Sequence, residues 1–241
     1  MNTDDLRKVP TPSVQQADNT NSIENSSPAE SAEDSNKAKR STGFISKFWP
    51  NRSTITVSFM EDLSDELKYR VERVIRRWEP HMSLAMEFVE GRQANIRISL
   101  NGMQNRSELG NNALYIPADI PTLTLATPSD HPSFEPDLLH EFGHALGLNH
   151  EHQHPDANIP WDMDRTYRYF KERFGWDEND VNSQIFEVHY DADVFRGSYD
   201  KKSIMHYQVP NEITLGDWEV GVNTTISEQD KINLRKIYPS N

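Results

Sequence analysis

The chain has 241 residues with a formal net charge of −13, 35% hydrophobic and 10% aromatic content, and no cysteine. That length can hold one large or two small globular domains, and no apolar run approaches the roughly 20 residues that span a bilayer. The negative balance argues against nucleic acid or an anionic membrane surface as partner, and without cysteine neither disulfides nor thiolate metal ligands are available.

Residues 1–42 are rich in Ser, Asn, Asp, Glu, Pro and Ala. They carry too little apolar surface to offset the entropy of ordering, so a disordered tail is expected, serving as linker, delivery signal, cleavable pro-segment or inert extension. Its first residues, Met1-Asn2-Thr3-Asp4-Asp5, lack the basic start and apolar stretch of a secretory signal. Cytoplasmic residence or non-classical export is expected. Order should begin near Phe44, Ile45, Phe48 and Trp49, and Thr54 to Phe59 alternates β-branched and polar residues as a strand does. Ser64 then reads as an N-cap, and Leu67, Val71, Ile75 and Trp78 recur at helical spacing up to about Glu79, before Pro80.

Met86–Val89 and Asn95–Leu100 read as strands, the second strictly alternating. Residues 101–112 are expected to be a loop, followed by strand-like pieces at Ala113–Ile116 and Thr122–Ala126. A further helix should start near Ser133–Asp137, where Pro136 is tolerated in the first turn. On it Leu139, Phe142 and Leu146 would face a sheet. Beyond, Tyr167, Phe170 and Phe174 mark a helix ended by Gly175, residues 176–198 show no clear periodicity, and Ser227 to Asp230 reads as the capped start of a last helix with Leu234, Ile237 and Tyr238 on its apolar face. The succession describes an α+β domain over 43–241, a twisted mixed sheet with helices packed on it.

The stretch His140-Glu141-Phe142-Gly143-His144-Ala145-Leu146-Gly147-Leu148-Asn149-His150 reads H-E-x-x-H-x-x-G-x-x-H. Residues four apart share a helix face, so His140 and His144 can present imidazoles to one ion. Gly147 can adopt the left-handed conformation that ends a helix and return His150 as a third nitrogen ligand. Three protein ligands with one open position is the pattern of a catalytic zinc, one ion per chain, and Glu141 is placed to act as base on its water. A lone histidine on an apolar helix is more often a core residue, but three at this spacing with Glu and Gly are not lone. His152 and His154, which follow, are expected to be a solvated pair rather than ligands.

These residues resemble the metzincin zinc endopeptidases, and within them the astacin family. Besides the extended histidine motif, Glu151 follows the third histidine. Tyr199-Asp200-Lys201-Lys202-Ser203-Ile204-Met205-His206-Tyr207 matches the family's Y-D-x-x-S-I-M-H-Y stretch, and Ile226 to Asp230 with Ile232-Asn233 resembles its last helix. The resemblance spans roughly residues 43–239. It implies a peptide-bond hydrolase acting on an extended protein or peptide substrate, expected to be monomeric. His140, His144 and His150 would bind zinc, Glu141 would activate the water, Met205 would floor the imidazoles, and Tyr207 would swing from zinc to stabilise the tetrahedral oxyanion. The edge strand near Thr122–Ala126 would pair with substrate.

The departures are specific. The family's two disulfides are missing, residues 152–158 differ from its usual run, and no F-x-G-D latency tetrapeptide occurs in residues 1–50. Glu151 could pair with a free N-terminus, as in the family, only after removal of the first 40 or so residues. A cysteine-free chain with a polar tail is similar to bacterial effector proteases delivered into other cells. Two rival readings stand beside the enzyme: an inactive zinc-containing peptide-binding module, and a structural zinc closed by His152 or His154 as fourth ligand.

Overall fold

The computed structural model describes residues 42–188 and 193–240. The expected tail lies outside them except for Thr42, which opens a three-residue strand, β1 (Thr42–Phe44), antiparallel to Val194–Arg196. β2 (Thr54–Phe59) follows, with Ile55 and Val57 fully buried by the alternation. Helix α1 (Asp65–Ile75) starts where expected, Ser64 Oγ accepting from Leu67 N, a cap typically contributing about 1 kcal/mol. It ends four residues earlier than its apolar spacing suggests. The bonds Arg77 N to Val74 O and Trp78 N to Ile75 O tighten the chain into 3₁₀ turns leading to Pro80, and Trp78 stays in the core.

β3 (Ala85–Phe88), β4 (Ile96–Ser99), β5 (Arg106–Ser107) and β6 (Leu123–Thr124) complete a five-stranded sheet of order β3-β2-β4-β6-β5, parallel except for β5. Three expectations change here. All of β4 is buried although it alternates: the Arg97 guanidinium donates to four carbonyls, those of Ala94, Ile116, Pro117 and Ile120, and Ser99 Oγ donates to the Glu61 carboxylate. The strand-like Ala113–Ile116 lies mostly in a 3₁₀ turn, Gly110–Tyr115. The edge strand next to β6 is β5, inside the expected loop, so the piece at Thr122–Ala126 is interior and not the edge.

Asn105 explains why so short an edge holds. Its Oδ1 accepts from Ala126 N and Thr127 N, while its Nδ2 donates to Thr127 Oγ1 and to Asp137 Oδ2. Asp137 belongs to the first turn of the next helix, α2 (Phe134–Ala145), so the sheet edge is fastened to the helix that carries the histidines. α3 (Met163–Phe174) is capped by Asp162 and ends at Gly175, as its pattern predicts. α4 (Glu178–Val181) and a π-helical turn at Asn182–Phe186 occupy part of the unplaced region. The strand paired with β1 is β7, and α5 (Glu228–Ile237) opens with a reciprocal capping box between Ser227 and Asp230.

Two buried clusters result. The first joins the sheet, α1, α2, Met205, Leu234 and Tyr238. The second gathers Phe170, Trp176, Val181, Ile185, Tyr207, Val209, Ile213 and Val220 in the C-terminal half.

Candidate metal centre

Leu138, Leu139, Phe142 and Leu146 put α2 into the first cluster. Its C-terminal carbonyls would otherwise be orphaned in that core. Trp49 Nε1 donates to Ala145 O at 2.8 Å and Tyr238 Oη to Leu146 O at 2.7 Å. Gly147, at φ +92°, lets the chain reverse, with Gly147 N bonded to His144 O and Leu148 N to Gly143 O. That is the Schellman arrangement, and it needs a residue free to adopt positive φ. It also brings Leu148 O to His144 Nδ1 at 2.7 Å.

The turn delivers His150 to His140 and His144, and the three offer ligand nitrogens that all lie within 4.8 Å of one another. His140 Nδ1 donates to Ile204 O at 2.8 Å, as His144 Nδ1 does to Leu148 O. Such bonds fix the tautomer and leave Nε2 as the lone pair for a metal. His144 Nε2 and His150 Nε2 are 3.0 Å apart, close to the roughly 3.4 Å between nitrogens about a tetrahedral zinc. Burial pushes His144 down to about 4 against the opposing pull of the Leu148 carbonyl, so it is neutral, as a ligand must be. Three clustered imidazoles, two of them oriented by carbonyls, fit zinc.

Glu141 lies beside them at 2% exposure. Its negative charge reaches Tyr207, whose phenol is pushed well above its ordinary range by burial first and by Glu141 second. Tyr207 is therefore a protonated donor at neutral pH, and its Oη has no hydrogen-bond partner among the described residues. Its ring centroid is 4.1 Å from that of His150.

Below the histidines, Met205 is 2% exposed, and a Cβ added at Gly143 would overlap its sulfur. Asp230 of α5 holds this segment: its carboxylate accepts from Ser203 Oγ at 2.6 Å, Ile204 N at 2.9 Å and Ser227 N at 2.9 Å. Ile204 O in turn orients His140, so a C-terminal helix cap reaches a candidate ligand through one peptide unit. The capping signature at Ser227 to Asp230 is visible in the sequence, but its second task is not. Glu151, also 2% exposed, accepts from Asp200 N at 2.8 Å.

The expected solvated pair is a correction. His152 and His154 are 3% and 1% exposed, because Gln184 O takes the His152 Nε2 proton and Gly197 O that of His154. Neither belongs to the metal-ligand cluster, which among the described residues is His140, His144 and His150.

A mixed sheet, the helix packed on it and three clustered imidazoles point to one class, the metzincin type of zinc metalloprotease. Neither a protein-family model nor a curated protein matches the chain. Solved structures do. The structure of myroilysin is 33% identical, with a TM-score of 0.78, covering 83% of this chain and 99% of that one. A second, the crystal structure of myroilysin, is also 33% identical at a TM-score of 0.60, covering 80% and 86%. High choriolytic enzyme 1, a hatching-enzyme zinc protease of the medaka fish Oryzias latipes, shares the fold at 16% identity and a TM-score of 0.57, covering 81% and 96%. The chain belongs to the astacin family of zinc metalloproteases.

Proposed function

We propose that this chain is a zinc endopeptidase, cleaving bonds within protein or peptide substrates, over a catalytic domain of residues 43–241. The observation that carries the reading is the convergence of the three histidines with buried Glu141 and with the Tyr207 phenol, whose Oη has no hydrogen-bond partner among the described residues. His140, His144 and His150 hold the metal. Zinc, when bound, supplies Lewis acidity towards a carbonyl oxygen and towards water.

Glu141 takes the proton of the attacking water on its carboxylate and returns it to the leaving amine. Tyr207 donates its phenolic hydrogen to the oxygen that becomes negative as the carbonyl turns tetrahedral, a contact typically contributing about 3 kcal/mol. An extended substrate adds alongside β5, an edge strand of the sheet, by pairing with its outer backbone groups.

The test is cleavage of a diverse peptide library by the zinc-loaded protein beside Glu141→Ala. The variant should keep its zinc and lose at least about a hundredfold in rate, the usual scale of general-base help. Near-normal turnover in it would remove Glu141 from the mechanism. A silent wild type with zinc bound would leave the peptide-binding module as the better reading.

A further inference from the structure

A donor acts only if it is held where the charge develops. Tyr207 Oη is not anchored by a hydrogen bond among the described residues, so its ring contacts must place it. The rings of His150, His152 and Tyr207 form a triangle with centroid separations of 4.1 Å (His150 to Tyr207), 4.5 Å (His152 to Tyr207) and 5.4 Å (His150 to His152). The two contacts differ in kind. His150 meets the phenol tilted at 50°, whereas His152 lies nearly parallel to it at 20°, covering a face.

His152 is itself held. Its Nε2–H donates to Gln184 O at 2.8 Å, and the neighbouring Gln153 Nε2 donates to Ser183 O at 3.0 Å. Two consecutive side chains thus clasp two consecutive carbonyls of the Asn182–Phe186 turn. Ile185 of that turn is buried in the same cluster as Tyr207. A surface histidine would have no reason for this clasp.

We propose that His152 is a positioning residue for catalysis, a stacking platform that fixes the Tyr207 phenol relative to the metal-binding His150. The proposal rests on the reading of Tyr207 as the oxyanion donor. His152 touches neither substrate nor metal in it.

The test uses full-length zinc-loaded protein and a fluorogenic peptide. His152→Ala should lose about tenfold in kcat, a fraction of the hundredfold or more that one such donor supplies, with KM and zinc content unchanged. His152→Phe, which keeps a flat ring but no donor, should recover to within about threefold, whereas His152→Gln, which keeps a donor but no ring, should behave like the alanine variant. In a Tyr207→Phe background His152→Ala should cost nothing further.

An independent readout needs no metal. With 3-fluorotyrosine incorporated, the Tyr207 ¹⁹F resonance of the zinc-free protein should move in His152→Ala and stay nearer its place in His152→Phe. Wild-type kcat in His152→Ala while Tyr207→Phe is impaired would overturn the proposal, as would rescue by Gln rather than Phe. Wild-type turnover in Tyr207→Phe would instead remove the oxyanion reading, and this proposal with it.

Discussion

In the sheet-bearing half, Ile55, Val57, Ile96 and Ile98 meet Val71, Val74 and Ile75 of α1 and Leu138, Leu139 and Phe142 of α2, nearly all without exposed surface. In the C-terminal half the packing is aromatic, with Phe170 stacked on Trp176 at 5.0 Å and Trp161, Tyr167 and Phe186 meeting edge to face. Its irregular chain is tied by side chains to carbonyls, as in His152 to Gln184 O, Gln153 to Ser183 O and His154 to Gly197 O. The first half is held by repeated backbone ladders over an aliphatic layer, the second by individual bonds that each depend on one residue. The candidate metal centre lies between them, Met205 belonging to the first cluster and Tyr207 to the second.

The largest expected effect tests the aliphatic half. Trp78 is fully buried in the first cluster and its indole N–H has no partner among the described residues, so its contribution is packing. Trp78→Ala should cost about 3–5 kcal/mol, the usual range for deleting a buried aromatic. A lowered urea midpoint at unchanged slope is expected. An unchanged midpoint would mean that this cluster does not set global stability.

Zinc removal should come next and should separate the halves. A ligand at about a thousandfold its dissociation constant stabilises the native state by about 4 kcal/mol, so chelation should lower Tm accordingly. The loss should be uneven. Hydrogen exchange should accelerate at residues 148–154 and 199–207 while β2 and β4 remain protected. Equal acceleration in β4 would show one cooperative unit rather than two differently built halves.

The same contrast decides what was legible in the sequence. The period of α1 and α3, the alternation of β2, the caps at Ser64 and Ser227 and the histidine motif are local patterns, and the chain carries them where expected. Arg97 was opaque because its partners, Ile116, Pro117 and Ile120, lie some twenty residues downstream. β5 was hidden because two residues make no period, and Asn105 substitutes side-chain bonds for the missing ladder. His152 and His154 looked solvated because the carbonyls that bury them belong to a segment without periodicity of its own. The burial of a polar residue is illegible in the sequence where a distant backbone oxygen receives it.

The smallest effect probes that failure directly, through acid. Burial chiefly, with Arg196 adding and Asp156 opposing, holds His154 down at about 4 from its ordinary 6.5. Its Nδ1 accepts from Asp156 N at 2.8 Å and its Nε2–H faces Gly197 O, while the Tyr199 ring sits 5.7 Å away. A second proton on Nδ1 would turn the Asp156 bond into two opposed N–H groups. Because the folded value lies below the unfolded one, the stability His154 contributes is present in full above about 6.5 and is lost as pH falls through about 4. His206, also down at about 4 through burial, has the same sign. Between pH 7 and 4 the wild type should lose on the order of 2 kcal/mol more than His154→Phe. Paired urea titrations would measure this, and parallel pH curves for the two proteins would mean that the buried imidazole contributes no pH dependence. If the difference appears first in the exchange of residues 194–200 and not in β2, acid enters through the half whose contacts are single.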